Sequence, residues 1–209
     1  MESVKSLPKK INIINRFMKR LFDLIVSGIG LLITFPIILI AALLVRINYR
    51  ESGFFTQSRI GKNGKEFKII KIKTMSSNVK FDTTVTTKND PRITKLGRIY
   101  RKAKIDELPQ LINVFKGEMS FVGPRPDVKE IIYTIPEEVR DVFLSIRPGI
   151  TGPATIKYRN EEEILASVEE PEMYNDEVIF PDKVEINLDY IRNYNFLKDI
   201  GYILKTVFK

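Results

Sequence analysis

The sequence of 209 residues contains neither cysteine nor histidine. Without histidine, a Ser-His-Asp triad, a His-based zinc site and imidazole acid–base chemistry are excluded. Without cysteine, a thiolate nucleophile, a zinc finger, an iron–sulfur cluster and a disulfide framework are excluded as well. Any catalysis must therefore use carboxylates, hydroxyls, Tyr, Lys or Arg, and any metal ion should be one that prefers oxygen ligands, such as Mg²⁺.

Charge is absent from one long segment. Residues 24–45 carry no charged side chain, and a straight helix of this length would measure about 33 Å, against about 30 Å for a bilayer hydrocarbon core. Pro36 should bend such a helix. Because basic residues both precede and follow the segment, the positive-inside rule places both of its ends in the cytoplasm. We expect a re-entrant helix–break–helix with its break at Pro36; the alternatives are a kinked single span and a buried core helix.

The charge of the remaining chain is unevenly distributed. The net charge is +4 for residues 1–23, +12 for residues 46–105 and −8 for residues 106–209. A strongly basic region directly after a membrane segment should attract anionic lipid headgroups or phosphorylated substrates. Charge alone does not separate these interpretations from a basic face that is merely solvated.

Hydrophobic periodicity predicts a helix-rich α+β fold. Residues 54–60 and 66–75 flank a turn and predict a β-hairpin. Apolar residues with helical spacing predict a helix over 108–115, N-capped by Asp106 and closed by Gly117. Further predicted elements are a mobile polar loop at 76–89, a helix beginning at 136, a loop at 147–153, a solvated acidic helix at 161–170, and one or two amphipathic helices between 188 and 207.

Asp106 and Glu107 form an acidic pair at the start of a predicted helix. The structural interpretation is a helix cap that complements the helix dipole. The functional interpretation is a carboxylate nucleophile or an Mg²⁺ ligand, because a carboxylate can attack phosphorus while nearby cations such as Arg101 offset the charge of the transferred group.

Three other basic residues allow two interpretations each. Arg125, between two prolines, is either an exposed turn residue or a guanidinium positioned for a phosphate. Arg59 and Lys71 lie in the predicted hairpin and are either solvated strand residues or phosphate ligands.

Taken in order, these segments resemble the bacterial sugar transferases, the monotopic phosphoglycosyl transferases, in their compact form without a long multi-span N-terminal region. The resemblance runs from Lys19 to Val207. Its most specific part is the block DELPQLINVFKGEMSFVGPRP at 106–126, followed by RPGITG at 147–152. The chain departs from the family pattern at Phe35, where many relatives have Ser, and after Gly152.

The resemblance implies a reaction. Such enzymes move a sugar-1-phosphate from a UDP-sugar onto a polyprenol phosphate such as undecaprenyl phosphate, release UMP, and so begin synthesis of a capsule, exopolysaccharide, O-antigen or glycoprotein glycan. It implies that Asp106 forms a covalent aspartyl-phosphosugar intermediate and that Asp106 and Glu107 hold Mg²⁺. We assign the substrate phosphates to Lys71, Arg101, Arg125 and Arg59, and the nucleotide to Arg159 and Arg147.

The resemblance also implies an organisation. We expect residues 1–50 to form a tail and the re-entrant membrane hairpin. Residues 51–209 should form a cytosolic catalytic domain, with a β-hairpin and amphipathic interfacial helices, at the cytoplasmic face of a bacterial inner membrane. The expected partners are donor, acceptor and membrane lipid, with a second copy of the chain as a candidate and no nucleic acid.

Two rival functions stay open. One is a membrane-anchored basic protein that binds anionic lipid or nucleic acid without chemistry, although pure electrostatic binding would not need the block at 106–126. The other is an Mg²⁺-dependent phosphatase or nuclease, for which water is the acceptor.

Overall fold

The computed structural model describes residues 12–77, 86–87 and 90–208. Within them, short strands pair as β1 (Phe54–Ile60) with β2 (Glu66–Ile72) and as β3 (Ser120–Val122) with β4 (Gly149–Thr151). The α-helices are α1 (Ile13–Tyr49), α2 (Lys95–Lys102), α3 (Gln110–Lys116), α4 (Lys129–Ile132), α5 (Glu137–Phe143), α6 (Pro153–Lys157), α7 (Glu161–Ala166), α8 (Pro171–Tyr174), α9 (Phe180–Arg192) and α10 (Phe196–Val207). Two 3₁₀ turns (Lys62–Gly64, Ile105–Glu107) and a π-helical turn (Asn175–Ile179) complete the order. The helix-rich α+β prediction is confirmed.

Helix α1 contains the uncharged segment and continues beyond both of its ends. The side chain of Asn12 caps it by accepting a hydrogen bond from the Ile14 backbone, and Arg50 ends it in the left-handed conformation. The 37-residue helix runs through Pro36 without a non-helical residue, so the break predicted there is not seen. By length and composition, α1 is long and apolar enough to cross a membrane.

The two faces of α1 have different surroundings. One stripe is buried against the rest of the protein and contains Lys19, Asp23, Ser27, Ile38, Ala41, Ala42 and Val45. The opposite face exposes large apolar side chains, among them Leu32 at 82% and Ile33 at 69%. Since Ala41 and Val45 share a hydrophobic cluster with Ile72 of β2, α1 is part of the protein core, and the boundary at residue 50 stays a prediction.

The first part of α1 is joined to the C-terminal helices by a buried polar cluster. Asp199 of α10 accepts hydrogen bonds from Lys19 Nζ at 2.6 Å, Tyr190 at 2.7 Å and Tyr194 at 3.1 Å. Lys19 also donates to the carbonyl of Val122 in β3 at 2.8 Å. We call Lys19, Tyr190, Tyr194 and Asp199 the latch, because they connect α1, α9 and α10 to the strand that precedes Arg125.

The predicted β-hairpin is confirmed, with Phe54 opposite Ile72 and Ile60 opposite Glu66. Helix α3 packs beside it, and Asn113 joins the two: its amide oxygen accepts from Ile70 N, and its nitrogen donates to Lys68 O. Gly117 closes α3 at a φ of 84°, a value that glycine adopts without steric penalty. The hairpin therefore has a fixed orientation relative to the segment before α3.

Several local predictions need correction. Residues 149–151 of the predicted loop form β4, which pairs in parallel with β3. The strands can approach closely because Gly149 has no Cβ, which would collide with Gly123 N. The acidic helix α7 ends at Ala166. Of the one or two helices predicted between 188 and 207, the structure has two, and the first of them begins earlier, at Phe180. Most of the predicted mobile loop at 76–89 lies outside the described residues.

Candidate active site

The acidic pair lies in a tight turn between α2 and α3. Lys104 adopts the left-handed conformation with φ of 57°, and the 3₁₀ turn Ile105–Glu107 follows, closed by hydrogen bonds from Glu107 N to Lys104 O and from Leu108 N to Ile105 O. Helix α3 begins only after Pro109, with no side chain capping it. The prediction that Asp106 is an N-cap is therefore wrong, and its carboxylate is not used by the helix.

Asp106 is buried without a partner for one of its oxygens. It is 8% exposed, and among the described residues its Oδ1 has no hydrogen-bond partner. Burial, with the neighbouring Glu107 carboxylate, raises the pKa of Asp106, while Lys71, Lys104 and Arg101 act in the opposite direction. Such a poorly solvated carboxylate next to several cations is more reactive than one satisfied by hydrogen bonds.

Glu107 is held by two cations. Its Oε1 accepts from Lys71 Nζ at 3.2 Å and lies 3.6 Å from Arg125 Nη2. Burial disfavours its charge, but Arg125, Lys71 and Lys104 outweigh that effect and lower the pKa of Glu107 to about 2. Glu107 is therefore ionised at neutral pH and fixes the two cations beside Asp106.

Lys71 and Arg125 reach the pair from opposite elements. Lys71 lies near the end of β2, opposite Phe55; burial and Arg125 lower its pKa, whereas Glu107 and Asp106 favour its charge. Arg125 follows β3 in a Gly-Pro-Arg-Pro segment, where two prolines restrict the backbone on either side of it. The β-hairpin and the β3–β4 pair thus both supply cations to the acidic pair.

Arg101 and Arg59 lie at the edge of this group and are bound to acidic residues. Arg101, in the last turn of α2, donates from Nη2 to Glu162 at 2.7 Å. Arg59 contacts Asp127 at 3.4 Å and Gln57 at 2.8 Å. The structure brings Arg101 into the electrostatic surroundings of Asp106, whereas the neighbours that affect the pKa of Arg59 are Asp127 and Arg125.

The two residues assigned to the nucleotide have other contacts. Arg147 donates from Nε to the Gly117 carbonyl at 2.7 Å, and the charges that affect its pKa, after its burial, are Arg20 and Asp23. Arg159 donates to the Lys205 carbonyl at 2.9 Å. Their roles stay predictions, because neither contact joins them to Asp106 or Glu107.

Two acidic residues beside Arg59 and Arg101 were not predicted. Asp127 contacts Arg59, and Glu162 contacts Arg101. Asp127 directly follows the Pro-Arg-Pro segment, and Glu162 belongs to the predicted solvated acidic helix. No local pattern could have identified the two pairs, since their members are 68 and 61 residues apart.

The acidic pair is chemically suited to Mg²⁺. Within the described ranges, no three His, Cys, Asp or Glu side chains come together as a metal site, so Asp106 and Glu107 would be the protein ligands. Mg²⁺ is commonly held by one or two carboxylates, with waters and substrate phosphates completing its octahedron. The unpartnered oxygen of Asp106 is a metal ligand of the required type, and the residues present therefore fit the ion.

Comparison with known proteins connects this geometry to a family. The model of the family described as bacterial sugar transferase matches residues 14–209. The chain is 36% identical over 201 residues to the UDP-glucose:undecaprenyl-phosphate glucose-1-phosphate transferase of Escherichia coli (strain K12), an alignment that covers 94% of this chain and 40% of that protein.

Two further relatives are similar at comparable levels. The chain is 32% identical over 205 residues to the exopolysaccharide production protein ExoY of Sinorhizobium fredii, covering 90% of this chain and 83% of ExoY. It is 32% identical over 210 residues to the undecaprenyl-phosphate galactose phosphotransferase of Salmonella typhimurium, covering 92% of this chain and 40% of that protein.

The chain thus spans about two fifths of the length of the Escherichia coli and Salmonella relatives and most of the length of ExoY. The match to the family model includes the apolar helix, the acidic pair and every basic residue that surrounds it. The chain therefore belongs to the bacterial sugar transferase family.

Proposed function

We propose that the chain transfers a sugar-1-phosphate from a UDP-sugar to undecaprenyl phosphate, with Asp106 as the nucleophile. The observation that carries this proposal is the buried, unpartnered Asp106 oxygen beside Glu107, Lys71 and Arg125. Two of the relatives named above are, by name, a UDP-glucose:undecaprenyl-phosphate glucose-1-phosphate transferase and an undecaprenyl-phosphate galactose phosphotransferase, and this is the substrate chemistry that such a site suits.

The proposed reaction has two displacements at one phosphorus atom. A carboxylate oxygen of Asp106 attacks the sugar-bearing phosphorus of the donor, the bond to the bridging oxygen breaks, and UMP leaves with the electron pair. A phosphate oxygen of undecaprenyl phosphate then attacks the same phosphorus, and Asp106 leaves as a free carboxylate. A carboxylate nucleophile divides one difficult transfer into two easier ones.

The surrounding residues have distinct roles in this scheme. Lys71, Arg101 and Arg125 offset the negative charge of the phosphates and of the transition state, and Glu107 holds Lys71 and Arg125 in place. Asp106 and Glu107 would hold Mg²⁺, which would supply further neutralisation of the charge on the diphosphate. Arg59 is a candidate for a further phosphate contact, and Arg159 and Arg147 are candidates for nucleotide contacts.

The test is UMP release from a panel of UDP-sugars by the protein in membranes containing undecaprenyl phosphate. Asp106→Asn should abolish release, whereas Asp141→Asn, an exposed aspartate on α5, should leave it unchanged. With donor labelled in the sugar-bearing phosphate and no acceptor, the wild type should carry label on protein and Asp106→Asn should not. Full activity of Asp106→Asn would contradict the assignment.

The same experiment separates the rival functions. A binding protein without chemistry would release no UMP from any donor. A phosphatase or nuclease would transfer the phosphate to water, so that product would form at the same rate without undecaprenyl phosphate.

We also propose that α1, continuous in this structure, bends at Pro36 in a membrane, so that it enters the bilayer and returns with both ends in the cytoplasm of a bacterial cell. Residues on both sides of Pro36 contact the same body: Asp23 Oδ1 accepts from Ser120 and Phe121, and Tyr49 accepts from Leu96 N. Between them lies the exposed apolar stretch around Pro36. A single span would place these two contacts on opposite sides of the bilayer, so it is disfavoured.

The absence of cysteine makes this topology testable. Single cysteines introduced at Asn12, Arg50 and Asp141 should all resist a membrane-impermeant maleimide in intact cells and react after lysis. If the proline kink sets the topology, Pro36→Ala should expose the cysteine at residue 12 in part of the molecules. Labelling of residue 12 in the otherwise unchanged protein would contradict the re-entrant proposal.

A further inference from the structure

Glu162 is bound to Arg101, one of the cations that the proposed reaction uses. Its Oε1 accepts a hydrogen bond from Arg101 Nη2 at 2.7 Å. Arg101 belongs to the electrostatic surroundings of Asp106, and its other terminal nitrogen, Nη1, is buried with no partner among the described residues. One half of the guanidinium is thus bound to a carboxylate, and the other half has an unused donor.

A carboxylate and a phosphate compete for the same position on an arginine. Both anions accept hydrogen bonds from the planar fork of the guanidinium, and two anions cannot share one donor without repelling each other. The Glu162 carboxylate therefore stands where an oxygen of the donor diphosphate would bind if Arg101 contacts that group.

The side chain of Glu162 is free to leave, whereas its helix is fixed. Leu165 anchors α7 with 2% of its surface exposed, and Glu161 is bound to Lys183 at 2.6 Å. The Glu162 side chain, by contrast, is 45% exposed. A half-exposed ion pair contributes little to stability, so displacing it requires no unfolding of α7.

Glu161 extends the same acidic edge toward the catalytic pair. Its charge raises the pKa of Arg125, although the burial of Arg125 acts in the opposite direction. The beginning of α7 is therefore close enough to influence the two arginines that flank Asp106, and its Glu162 is bound to one of them through a side-chain hydrogen bond.

We propose that Glu162 sets the affinity for the donor: its carboxylate occupies Arg101 until the diphosphate of the UDP-sugar displaces it. The inference rests on the proposed function, since it assigns the diphosphate to Arg101. Removal of the competing charge should tighten donor binding by about two- to fivefold, the range that a half-exposed ion pair allows.

The test compares three variants of the full chain in lipid nanodiscs by calorimetric titration with UDP and by steady-state kinetics. Glu162→Gln should bind UDP two- to fivefold more tightly and lower the KM for the UDP-sugar by the same factor, with kcat unchanged. Glu162→Asp should restore wild-type affinity at least in part. Glu169→Gln, an exposed position on the same segment, removes the same charge and should change neither value.

A double-mutant comparison assigns the effect to Arg101. In an Arg101→Gln background, Glu162→Gln should no longer change the UDP affinity, because the guanidinium for which Glu162 and the diphosphate compete is absent. If Glu162 instead positions Arg101 for catalysis, Glu162→Gln would weaken UDP binding or lower kcat, and that result, or unchanged affinity, overturns the proposal.

Failure of the proposed function has a different signature. If the wild type releases no UMP from any donor, the transferase assignment fails, and the comparison of UDP affinities still decides the role of Glu162. Absence of UDP binding by the wild type would overturn both.

Discussion

The latch and the acidic pair are both buried polar clusters, yet their hydrogen-bonding states are opposite. In the latch, Asp199 is 2% exposed and receives three donors, and its ion pair with Lys19 is buried as well. In the acidic pair, Asp106 is nearly as buried, but its Oδ1 has no partner in the described part of the chain. The same residue type is saturated in one cluster and unsaturated in the other.

The difference separates a cluster that stabilises the fold from a cluster whose carboxylate is suited to a reaction. A buried carboxylate with all its bonds made stabilises the elements it connects, and the latch connects α1 and α10 to β3. Burial and Asp199 also raise the pKa of Tyr190, so the phenol stays protonated as a donor. A buried carboxylate left unsatisfied is destabilising, and such groups persist at functional sites.

The largest effect should come from making the same substitution in both clusters. Asp199→Asn leaves Lys19 buried without a counter-charge and should lower the free energy of unfolding by about 3–5 kcal/mol. Asp106→Asn removes an unsatisfied charge and should leave the stability unchanged or raise it by about 1 kcal/mol, while it abolishes transfer. Thermal and denaturant unfolding in one detergent, followed by tyrosine fluorescence, measures both.

The exposed Asp141→Asn is the control for this pair, since it makes the same chemical change outside either cluster. Equal destabilisation by Asp199→Asn and Asp106→Asn would mean that hydrogen-bond saturation does not distinguish the latch from the acidic pair.

A smaller effect, on rate rather than stability, should follow the loss of one cation beside the pair. Lys71→Gln should lower the rate of UMP release about 10²-fold, the effect of removing one charge-stabilising donor from an active site. Its effect on unfolding should be small, because burial already disfavours the Lys71 charge and Arg125 still accompanies Glu107. A rate unchanged by Lys71→Gln would remove Lys71 from the site, and Lys68→Gln on the same strand is the matched control.

The sequence predicted those elements whose cause is local. The β-hairpin was predicted from two apolar runs around a turn, and the end of α3 from Gly117, where a positive φ requires a residue without Cβ. The acidic pair was recognised because Asp106 and Glu107 are adjacent. Its cations Lys71 and Arg125 could be proposed through the resemblance, and the structure places both at Glu107.

Contacts between distant segments could not be predicted in this way. The latch joins residues 180 positions apart, and no local pattern indicates that Lys19 meets Asp199. β4 was not predicted, because three residues between two prolines are typical of a loop. They form a strand only through pairing with β3, where Gly149 lies against Gly123. Asp106 was wrongly predicted to be a cap, since its sequence position fits a cap and only the backbone shows that it lies inside a 3₁₀ turn that ends before α3 begins.

The smallest effect should come from a saturated carboxylate near the surface. Glu51 is bound to Lys73, which chiefly lowers its pKa from 4.5 to about 2, and also to Ser76 and Ser77. Because the folded pKa is the lower one, its contribution to stability is present above pH 4.5 and is lost as the pH falls toward 2. Glu51→Gln should therefore lower the free energy of unfolding by about 1 kcal/mol at pH 7, the upper range for an ion pair near the surface, and by progressively less between pH 4.5 and 2. Unfolding measured across this range, with Glu169→Gln as the control, tests this expectation: a difference that does not depend on pH would show that the ionised Glu51 carboxylate is not the source of the stability.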